Sequence, residues 1–208
     1  MHNIVRDQRG QTFIELLTAI FVLSVALVGA LSLATSNTHN QTIGSLRLTA
    51  SGLAREGVEI ARALRDSNWL AELPGEDWDI GLRDTNAGSH CAVFSADRFA
   101  FDFVECKKDG GGNDIVTDPL YRIYRGEDGS FTQSKTLADA RGTTMLMYRK
   151  VHFDPVCLSA NGNEHTEKEG TCPDGETRIG VAVTSEVWWE QGRERYTVKV
   201  AESLTNWR

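Results

Sequence analysis

The feature that most constrains this chain is an uncharged apolar run from Leu16 to Ala34. Its length is close to the roughly 20 residues that a helix needs to cross a bilayer core of about 30 Å. The residues before it are polar, and Arg6 and Arg9 outnumber Asp7 there, which favours a cytoplasmic start. The run therefore predicts a membrane helix, with the residues beyond it on the extracytoplasmic side.

One carboxylate, Glu15, stands at the beginning of the apolar run, and no further formal charge occurs before Arg47. A carboxylate at the edge of hydrocarbon costs on the order of a few kcal/mol unless it is paired, so an acid in this position is a functional hypothesis by default. The sequence thus raises the question of which cation Glu15 pairs with.

The apolar run differs from a cleaved secretory signal. Such a signal has a shorter apolar core and a small-residue cleavage site after that core. Here the run is long, and the glycine at its polar border, Gly10, lies before it. The segment therefore reads as a retained anchor rather than as a signal that is removed.

Small residues recur every four positions within the predicted membrane helix, at Ala26, Ala30 and Ala34, with Gly29 beside them. This spacing lets helix backbones approach closely in a membrane or in a helix bundle. Alanine is also common in apolar helices that make no such contact. We take these residues as candidates for helix association.

Beyond the membrane run, the helical pattern continues as an amphipathic stripe. Its apolar positions step by three and four, at Ile43, Leu46, Ala50, Leu53, Gly57, Ile60 and Leu64. Gly44, Gly52 and Gly57 weaken an isolated helix by up to about 1 kcal/mol each, so tertiary packing must hold the stripe. We expect the helix to end near residue 68, before Pro74.

The rest of the chain has the pattern of β-strands. Three segments predict strands: the run in which Phe99, Phe101 and Phe103 alternate, then Leu120–Arg125, and then Thr143–Phe153. Alternation of this kind is typical of a strand that is buried on one face. These segments predict a β-rich region after the helix.

The clearest β element is a hairpin formed by Thr177–Glu190 and Glu194–Ala201. One apolar face is expected to pack on the helical stripe, while the other face is expected to stay in water. On this interpretation Trp188 and Trp189 divide between the core and the surface. The predicted fold class is α+β, with a long N-terminal helix packed on an antiparallel sheet.

The net charge of the chain is −7, which repels phosphate backbones and gives no support to specific nucleic-acid binding. No recognised catalytic motif surrounds His90, His152 or His165. We therefore predict neither an enzyme nor a specific nucleic-acid partner.

Four cysteines, Cys91, Cys106, Cys157 and Cys172, form two pairs of equal spacing. Disulfides between Cys91 and Cys106 and between Cys157 and Cys172 fit an oxidising compartment. Each bridge would contribute roughly 3 kcal/mol in the chain-entropy description of such short loops. The other two pairings stay open from sequence alone. Zinc is the alternative, but no Cys-x-x-Cys or nearby histidine pair supports it, so no metal or cofactor is predicted.

Two polar loops are candidates for further sites. The stretch Asp109–Asp114, with Asp118, offers oxygen ligands for calcium but lacks the EF-hand spacing, which favours a solvated turn. The polar residues between Cys157 and Cys172 offer an exposed surface for a partner. A solvated insertion is the simpler interpretation of that loop.

The segment Gly10-Gln11-Thr12-Phe13-Ile14-Glu15, followed by an apolar helix, resembles the prepilin leader of type IV pilins and type II secretion pseudopilins. Three further stretches resemble small minor pilins of PilV-like kind, described as prepilin-type cleavage/methylation proteins: Ala54–Arg62, Arg65–Trp69 and Leu204–Arg208. The resemblance is strong over residues 6–70, weaker over 177–208 and absent between them. It implies a leader over residues 1–10, an assembly half of the helix over 11–38 and a pilin-like head over 39–208.

The resemblance also implies processing and assembly. A prepilin peptidase would cut between Gly10 and Gln11, and Gln11 would become an N-methylated N-terminus. Glu15 would then pair with the new ammonium group of a neighbouring subunit, which offsets its burial and sets the axial register. The implied location is the inner membrane, with a single pass and an extracytoplasmic head, and then the pilus or cell surface.

The implied partners are the peptidase, the membrane, other pilin subunits that contact the helix, and the inner-membrane assembly platform. Many major pilins begin with Phe or Met and carry a proline in the apolar half, where this chain has Gln11 and Ser32. These departures favour a minor pilin or pseudopilin that serves assembly, adhesion, motility, secretion or DNA uptake. The alternative is a signal-anchored extracytoplasmic binding protein that does not polymerise.

Overall fold

The described part of the chain consists of one long helix and an antiparallel sheet. A computed structural model describes residues 9–71, 77–82, 89–95, 100–106, 119–126, 129, 131–133, 143–168 and 171–206. The helix α1 spans Arg9–Leu70, and short 3-10 turns cover Asp77–Asp79 and Pro119–Tyr121. The strands are β1 (His90–Ser95), β2 (Ala100–Glu105), β3 (Arg122–Arg125), β4 (Phe131–Thr132), β5 (Thr143–Leu158), β6 (Glu164–Thr166), β7 (Thr177–Gln191) and β8 (Glu194–Thr205).

The chain divides into two compact units, Met1–Leu46 and Arg47–Arg208. The first contains the apolar half of α1, and the second contains the rest of α1 with the whole sheet. The division at Leu46 lies later than the predicted start of the head at residue 39. The predicted division into residues 1–10, 11–38 and 39–208 concerns processing, and it stays a prediction.

The part of α1 in the second unit packs on the sheet with the predicted stripe. Its buried apolar residues are Ala50, Leu53 and Ile60 of that stripe, with Ala54, Val58, Ala61 and Trp69 beside them. Val58 and Ala61 join Val181 and Val183 of β7 in the main core cluster, with Leu64 packed against it. The predicted α+β class is therefore confirmed, and the helix ends at Leu70, two residues beyond the expected break.

The sheet is organised around β5, its longest strand. Along one side β5 pairs with β7, from Met147↔Trp189 to Leu158↔Thr177. Along the other side it pairs in turn with β3, β1 and β6. β7 pairs with β8, β1 with β2, and β3 with β4, and all of these named strand pairs are antiparallel. The predicted hairpin is confirmed as β7–β8, with Gly192 at a φ of 67° in its two-residue turn.

The prediction that one of Trp188 and Trp189 lies on the surface is wrong, since each is only 2% exposed. Both faces of the sheet are covered at this point. Trp189 stacks on Tyr196, at 5.4 Å between ring centroids, while Trp188 stacks on Tyr148 at 5.6 Å. Trp188 also contacts Tyr121, which belongs to the 3-10 turn Pro119–Tyr121 over the outer face. The expectation of one wet face fails there for the same reason.

Several predicted strands have different bounds from those expected: β5 and β8 continue to Leu158 and Thr205, beyond the predicted Phe153 and Ala201. The segment between Cys91 and Cys106 forms the two strands β1 and β2 instead of one, because Ala92↔Phe103 and its neighbours pair as a hairpin; Phe99 lies outside the described residues. The segment Leu120–Arg125 begins with a 3-10 turn and becomes a strand only at Arg122.

The turn that follows α1 is fixed by the helix end. The side-chain amide of Asn68 donates hydrogen bonds to the carbonyl oxygens of Trp78 (3.0 Å) and Ile80 (2.9 Å). Trp69 packs on Trp78, with 6.5 Å between ring centroids, and the guanidinium of Arg65 lies 4.4 Å above the Trp69 ring. The stretch Arg65–Trp69 therefore holds the returning chain against the end of the helix.

A buried polar cluster lies between α1 and the sheet, centred on Arg149 of β5, which is fully buried. Its guanidinium donates to the Leu53 carbonyl oxygen (3.2 Å), to Glu56 Oε2 (3.0 Å) and to Gln133 Oε1 (3.1 Å). Burial lowers the pKa of the Arg149 guanidinium, and the Glu56 carboxylate opposes that shift. The cluster therefore carries a charge whose burial opposes folding and whose hydrogen bonds compensate for part of that cost, since Arg149 Nη2 has no hydrogen-bond partner among the described residues.

Gln133 completes this cluster by joining three segments. Its Oε1 accepts from the Ala92 amide (3.1 Å) as well as from Arg149, while its Nε2 donates to the carbonyl oxygens of Leu120 (2.7 Å) and Arg149 (2.8 Å). All four hydrogen bonds that a glutamine side chain can readily make are thus used. This satisfied amide ties β1 and the turn before β3 to β5.

Gly57 marks the closest approach of α1 to the sheet. A Cβ added there would lie 2.4 Å from Ser185 Oγ and 3.1 Å from Ser185 Cβ on β7. Gly52, one turn away on the exposed side, has nothing within 4 Å of an added Cβ. The close contact with the sheet therefore requires glycine at position 57, whereas position 52 can accept a side chain.

We expect Gly57→Ala to destabilise the protein by roughly 1–2 kcal/mol, because overpacking by about 1–3 kcal/mol outweighs the gain in helix propensity of about 1 kcal/mol. Gly52→Ala should stabilise it by up to about 1 kcal/mol. Urea unfolding of the full chain in detergent, followed by tryptophan fluorescence, measures both. Adding Ser185→Ala should rescue part of the Gly57→Ala loss. An equal gain from both glycine substitutions would disprove the close approach.

Candidate processing and assembly segment

The apolar half of α1 exposes all of its large apolar side chains. From Phe13 to Leu33 their exposed fractions run from 51% at Leu17 to 70% at Leu33. An apolar helix of this length is stable only where lipid or other apolar protein surface covers it. This half of the helix therefore belongs to an environment that a single copy of the chain does not supply.

The helix from Phe13 onward is long and apolar enough to cross a membrane, as judged by its length and composition. Its most apolar stretch of 18 residues is 0% buried. A helix in the core of a soluble protein can be equally long and apolar, but most of its surface would be buried. The finding supports the predicted membrane anchor at the N-terminal end of the chain.

Glu15 lies one turn into this exposed helix. Its side chain is exposed, and its carbonyl oxygen accepts a hydrogen bond from the Thr18 hydroxyl at 2.9 Å. Among the residues whose side chains the structure describes, no cation lies within ion-pair distance of the Glu15 carboxylate, and the next charge along α1 is Arg47. The carboxylate is thus free to accept hydrogen bonds from a cation on another molecule.

Five hydroxyl groups of this helical segment are bonded to the helix itself. Each donates to a carbonyl oxygen three or four residues earlier, at 2.8–3.1 Å, and the donors are Thr18, Ser24, Thr35, Thr38 and Thr42. Serine and threonine in apolar helices commonly bond in this way. These hydroxyls need no partner from lipid or from a neighbouring helix.

The predicted association residues Ala26, Ala30 and Ala34 all lie in α1 and are exposed. A Cβ added to Gly29 beside them would meet nothing within 4 Å. The backbone is therefore open to close approach along this side of the helix. No second helix is present to test the association, so their role stays a prediction.

Gly10 and Gln11 lie in the first turn of α1, which begins at Arg9. The predicted cleavage would therefore fall close to the polar end of the helix, four residues before Glu15. Residues 5–31 match the prokaryotic N-terminal methylation motif. The methylation motif covers the end of the polar leader, Gly10, Glu15 and most of the apolar run, and the head lies outside it.

The methylation motif supports a place in the type IV pilin-like family. It indicates a subunit that a prepilin peptidase processes and that assembles with other pilin subunits. Searches of curated proteins and of solved structures gave no match. The narrower PilV-like resemblance of residues 54–69 and 204–208 is therefore not confirmed.

The head contains both disulfides that the equal spacing favoured. Cys91 bonds to Cys106 and Cys157 bonds to Cys172, with Cα–Cα distances of 5.5 and 5.6 Å. The first joins the two ends of the β1–β2 hairpin, and the second closes the polar loop that contains β6. The structure describes no free cysteine.

One cluster in the described part of the head has the spacing of a metal site, namely Cys157, His165 and Glu176. His165 Nε2 lies 3.0 Å from Glu176 Oε2 and 3.2 Å from Glu167 Oε1. Cys157 is oxidised and offers no thiolate, so the cluster is better described as a histidine held between two carboxylates. The acidic loop Asp109–Asp114 with Asp118, considered above for calcium, lies outside the described residues.

Sequence reasoning identified the residues of the processing and assembly segment because they are contiguous in the chain. It missed the self-bonded hydroxyls. The available signal was the occurrence of serine and threonine inside an otherwise apolar helix, where such residues bond to the preceding turn.

Proposed function

We propose that the protein is a minor type IV pilin or pseudopilin, cut between Gly10 and Gln11 and inserted through α1 into a pilus-like filament. The observation that carries this proposal is the coincidence of the methylation motif with a stretch of α1, from Phe13 to Leu33, whose large apolar side chains are all exposed. Lipid covers the apolar side chains of such a helix in a membrane, and neighbouring helices can cover them in a helix bundle. The subunit acts through assembly and has no catalytic role in this proposal.

Cleavage creates the cation that Glu15 lacks. The new ammonium group of Gln11 would lie four residues before Glu15, which is about one helical turn along the same face. In two neighbouring parallel helices offset along their axes, the ammonium of one subunit would meet the carboxylate of the other. Either charged group left unpaired in a low dielectric is unfavourable. The ion pair would therefore favour subunits that have been cleaved, and it would favour one axial offset between neighbouring helices.

The position of the subunit within the assembly is inferred from the head. Two disulfides brace its β1–β2 hairpin and its polar loop, and Ser32 stands where many major pilins carry proline. Both features favour a minor subunit that primes, caps or decorates the filament. The partners would be the prepilin peptidase, other pilin subunits and the assembly platform of the inner membrane.

We expect Gly10→Leu to leave the leader attached, because a side chain at this position fills the space that the peptidase needs. Gly29→Leu is the matched control, since a side chain there meets open space and should not affect cleavage. Mass spectrometry of the chain purified from the membrane gives the N-terminus directly. The unaltered chain should begin at Gln11 with an added methyl group.

An unaltered chain that still begins at Met1 would reject the proposal and favour the anchored binding protein that does not polymerise. Cleavage after Ala34 would reject both, because it would remove the anchor.

A further inference from the structure

Three side chains that can bind a metal ion face one another beside the Cys157–Cys172 disulfide. His165 lies in β6 and Glu167 follows it by two residues, so both side chains extend from the same side of the chain. Glu176 reaches the same point from the segment between the Gly175 turn and β7. Two separate segments therefore supply one imidazole and two carboxylates.

The main chain fixes each of these three residues. His165 is paired with Cys157 in the antiparallel register of β5 and β6. The backbone amides of Glu167 and Glu176 each donate to a proline carbonyl oxygen, at 3.0 and 3.1 Å. The disulfide adds a covalent link from β5 to the chain that follows β6. The cluster is thus built on a braced framework.

Both carboxylates converge on one nitrogen atom. Glu176 Oε2 lies 3.0 Å from His165 Nε2, and Glu167 Oε1 lies 3.2 Å from the same atom. A histidine nitrogen carries at most one hydrogen, which serves one acceptor well and not two. Glu176 Oε2 is itself a buried atom without a hydrogen-bond partner among the described residues. Its short distance from the imidazole is therefore a close approach that no hydrogen bond accounts for.

The charge of the cluster also lacks compensation. When the imidazole is neutral, the two carboxylates leave an excess of negative charge around it. In the described part of the head, no lysine or arginine side chain lies within 4 Å of either carboxylate. A cation placed between the three groups would offset the repulsion of the two acids and satisfy the buried oxygen of Glu176.

We propose that His165, Glu167 and Glu176 bind a zinc ion, which joins β6 to the segment before β7. Zinc holds nitrogen and oxygen ligands at about 2.0–2.2 Å, so neighbouring ligand atoms lie about 3.0 Å apart at right angles and about 3.4 Å apart at tetrahedral angles. The distances of 3.0 and 3.2 Å from His165 Nε2 to the two carboxylate oxygens fall within that range. The unpaired approach of these three atoms is therefore the spacing of ligands around a shared ion.

The ligand types favour zinc over calcium. An imidazole suits zinc and related transition metals, whereas calcium takes oxygen ligands alone. Cys157 is held in its disulfide and supplies no fourth ligand, so one position stays open to water. Bound zinc would fix the shape of the exposed loop between the two cysteines. No metal was predicted from the sequence, because Glu176 is brought to the other two ligands by a turn and not by a local motif.

The test uses the full, unprocessed chain in detergent, with its disulfides intact and without a histidine tag. Titration calorimetry with zinc chloride at neutral pH should show one site with micromolar affinity. Glu167→Gln and Glu176→Gln keep the size of the side chain, and each should weaken zinc binding by at least about tenfold, as the loss of even an indirect support does in metal sites. Glu164→Gln is the matched control, since Glu164 lies in the same strand with an exposed side chain. It should leave the affinity unchanged.

Thermal unfolding gives a second measurement. Zinc that binds the folded state should raise the Tm of the unaltered chain and of Glu164→Gln, but not that of Glu176→Gln. Calcium chloride should bind at least about tenfold more weakly than zinc chloride.

Three results would each overturn the proposal: no zinc site in the unaltered chain, an equal loss of affinity in Glu164→Gln and Glu167→Gln, or calcium binding as tight as zinc binding. His165→Ala must also lose the site, since it removes the one nitrogen ligand. Because the chain is neither cleaved nor assembled in these experiments, their outcome is independent of the processing at Gly10 and of the filament.

Discussion

A Glu15→Ala chain is expected to be inserted and cleaved normally and yet to be absent from filaments. The substitution removes the carboxylate that would pair with the Gln11 ammonium of a neighbouring subunit. Breaking a buried ion pair by removing one partner costs about 3–5 kcal/mol, which corresponds to a loss of about two to four orders of magnitude in incorporation. Immunoblots of sheared filaments, with membrane fractions as reference, measure this ratio, and mass spectrometry verifies cleavage.

The matched control is Thr18→Ala. Thr18 lies one turn beyond Glu15, and its hydroxyl bonds to the Glu15 carbonyl oxygen, so the substitution changes the same region without changing the charge. Incorporation should remain close to that of the unaltered chain. Glu15→Asp keeps the charge on a shorter side chain and should recover part of the lost incorporation. Normal incorporation of Glu15→Ala would refute the proposed ion pair while leaving cleavage at Gly10 untouched.

The largest loss of stability is expected from Arg149→Ala, at about 3–5 kcal/mol, since it truncates a long, fully buried side chain and removes the hydrogen bonds of its guanidinium. The guanidinium holds α1 to the sheet through the Leu53 carbonyl oxygen and Glu56 (3.2 and 3.0 Å). Truncation also leaves a cavity beside Gln133. The midpoint of urea unfolding should fall sharply for the full chain in detergent.

Arg149→Met removes the charge of the side chain but keeps most of its volume, so it separates the effect of the ion pair from the effect of packing. Methionine refills most of the space, and the Glu56 side chain, which is 31% exposed, can turn toward water when its partner is removed. We expect a smaller loss, about 1–2 kcal/mol. A loss as large as that of Arg149→Ala would show that the ion pair, and not the packing, holds the helix at this point. A loss below about 1 kcal/mol for both variants would contradict the assigned role of Arg149.

Much of the fold could be predicted because its strongest patterns are local. The stripe from Ala50 to Leu64 repeats at the helical period, and the β7–β8 hairpin alternates around Gly192. The burial of Trp188 could not be predicted, because the residues that cover it come from a 3-10 turn more than sixty positions earlier in the sequence. Alternation shows that two faces differ, but it does not show whether a second layer covers the outer face.

Arg149 illustrates the same limit and also a signal that was available. Met147, Val151 and Phe153 alternate along β5 and are buried, and Arg149 occupies the inward position between them. An arginine at an inward position of an apolar strand predicts a buried partner, since an unpaired charge there is unfavourable. The identity of that partner, Glu56 on α1, depends on tertiary packing and could not be read from the pattern.

The assembly segment presents the opposite case. Gly10, Gln11 and Glu15 lie within one and a half helical turns, so sequence reasoning could name all of them, and the methylation motif matches the same residues. A single chain adds little more, because the predicted partner of Glu15 belongs to another copy. The predicted roles of Ala26, Ala30 and Ala34 depend on a second helix in the same way.

The self-bonded hydroxyls of α1 determine what changes when the helix moves between surroundings. Because Thr18, Ser24, Thr35 and their counterparts already donate within the helix, exchanging lipid neighbours for protein neighbours breaks none of their hydrogen bonds. Under the proposed assembly, this segment would then differ in its polar chemistry between a bilayer and a helix bundle chiefly by whether the Glu15 carboxylate is paired. Such near-equivalence would make insertion reversible, so that a subunit released from a filament could return to the membrane and be used again.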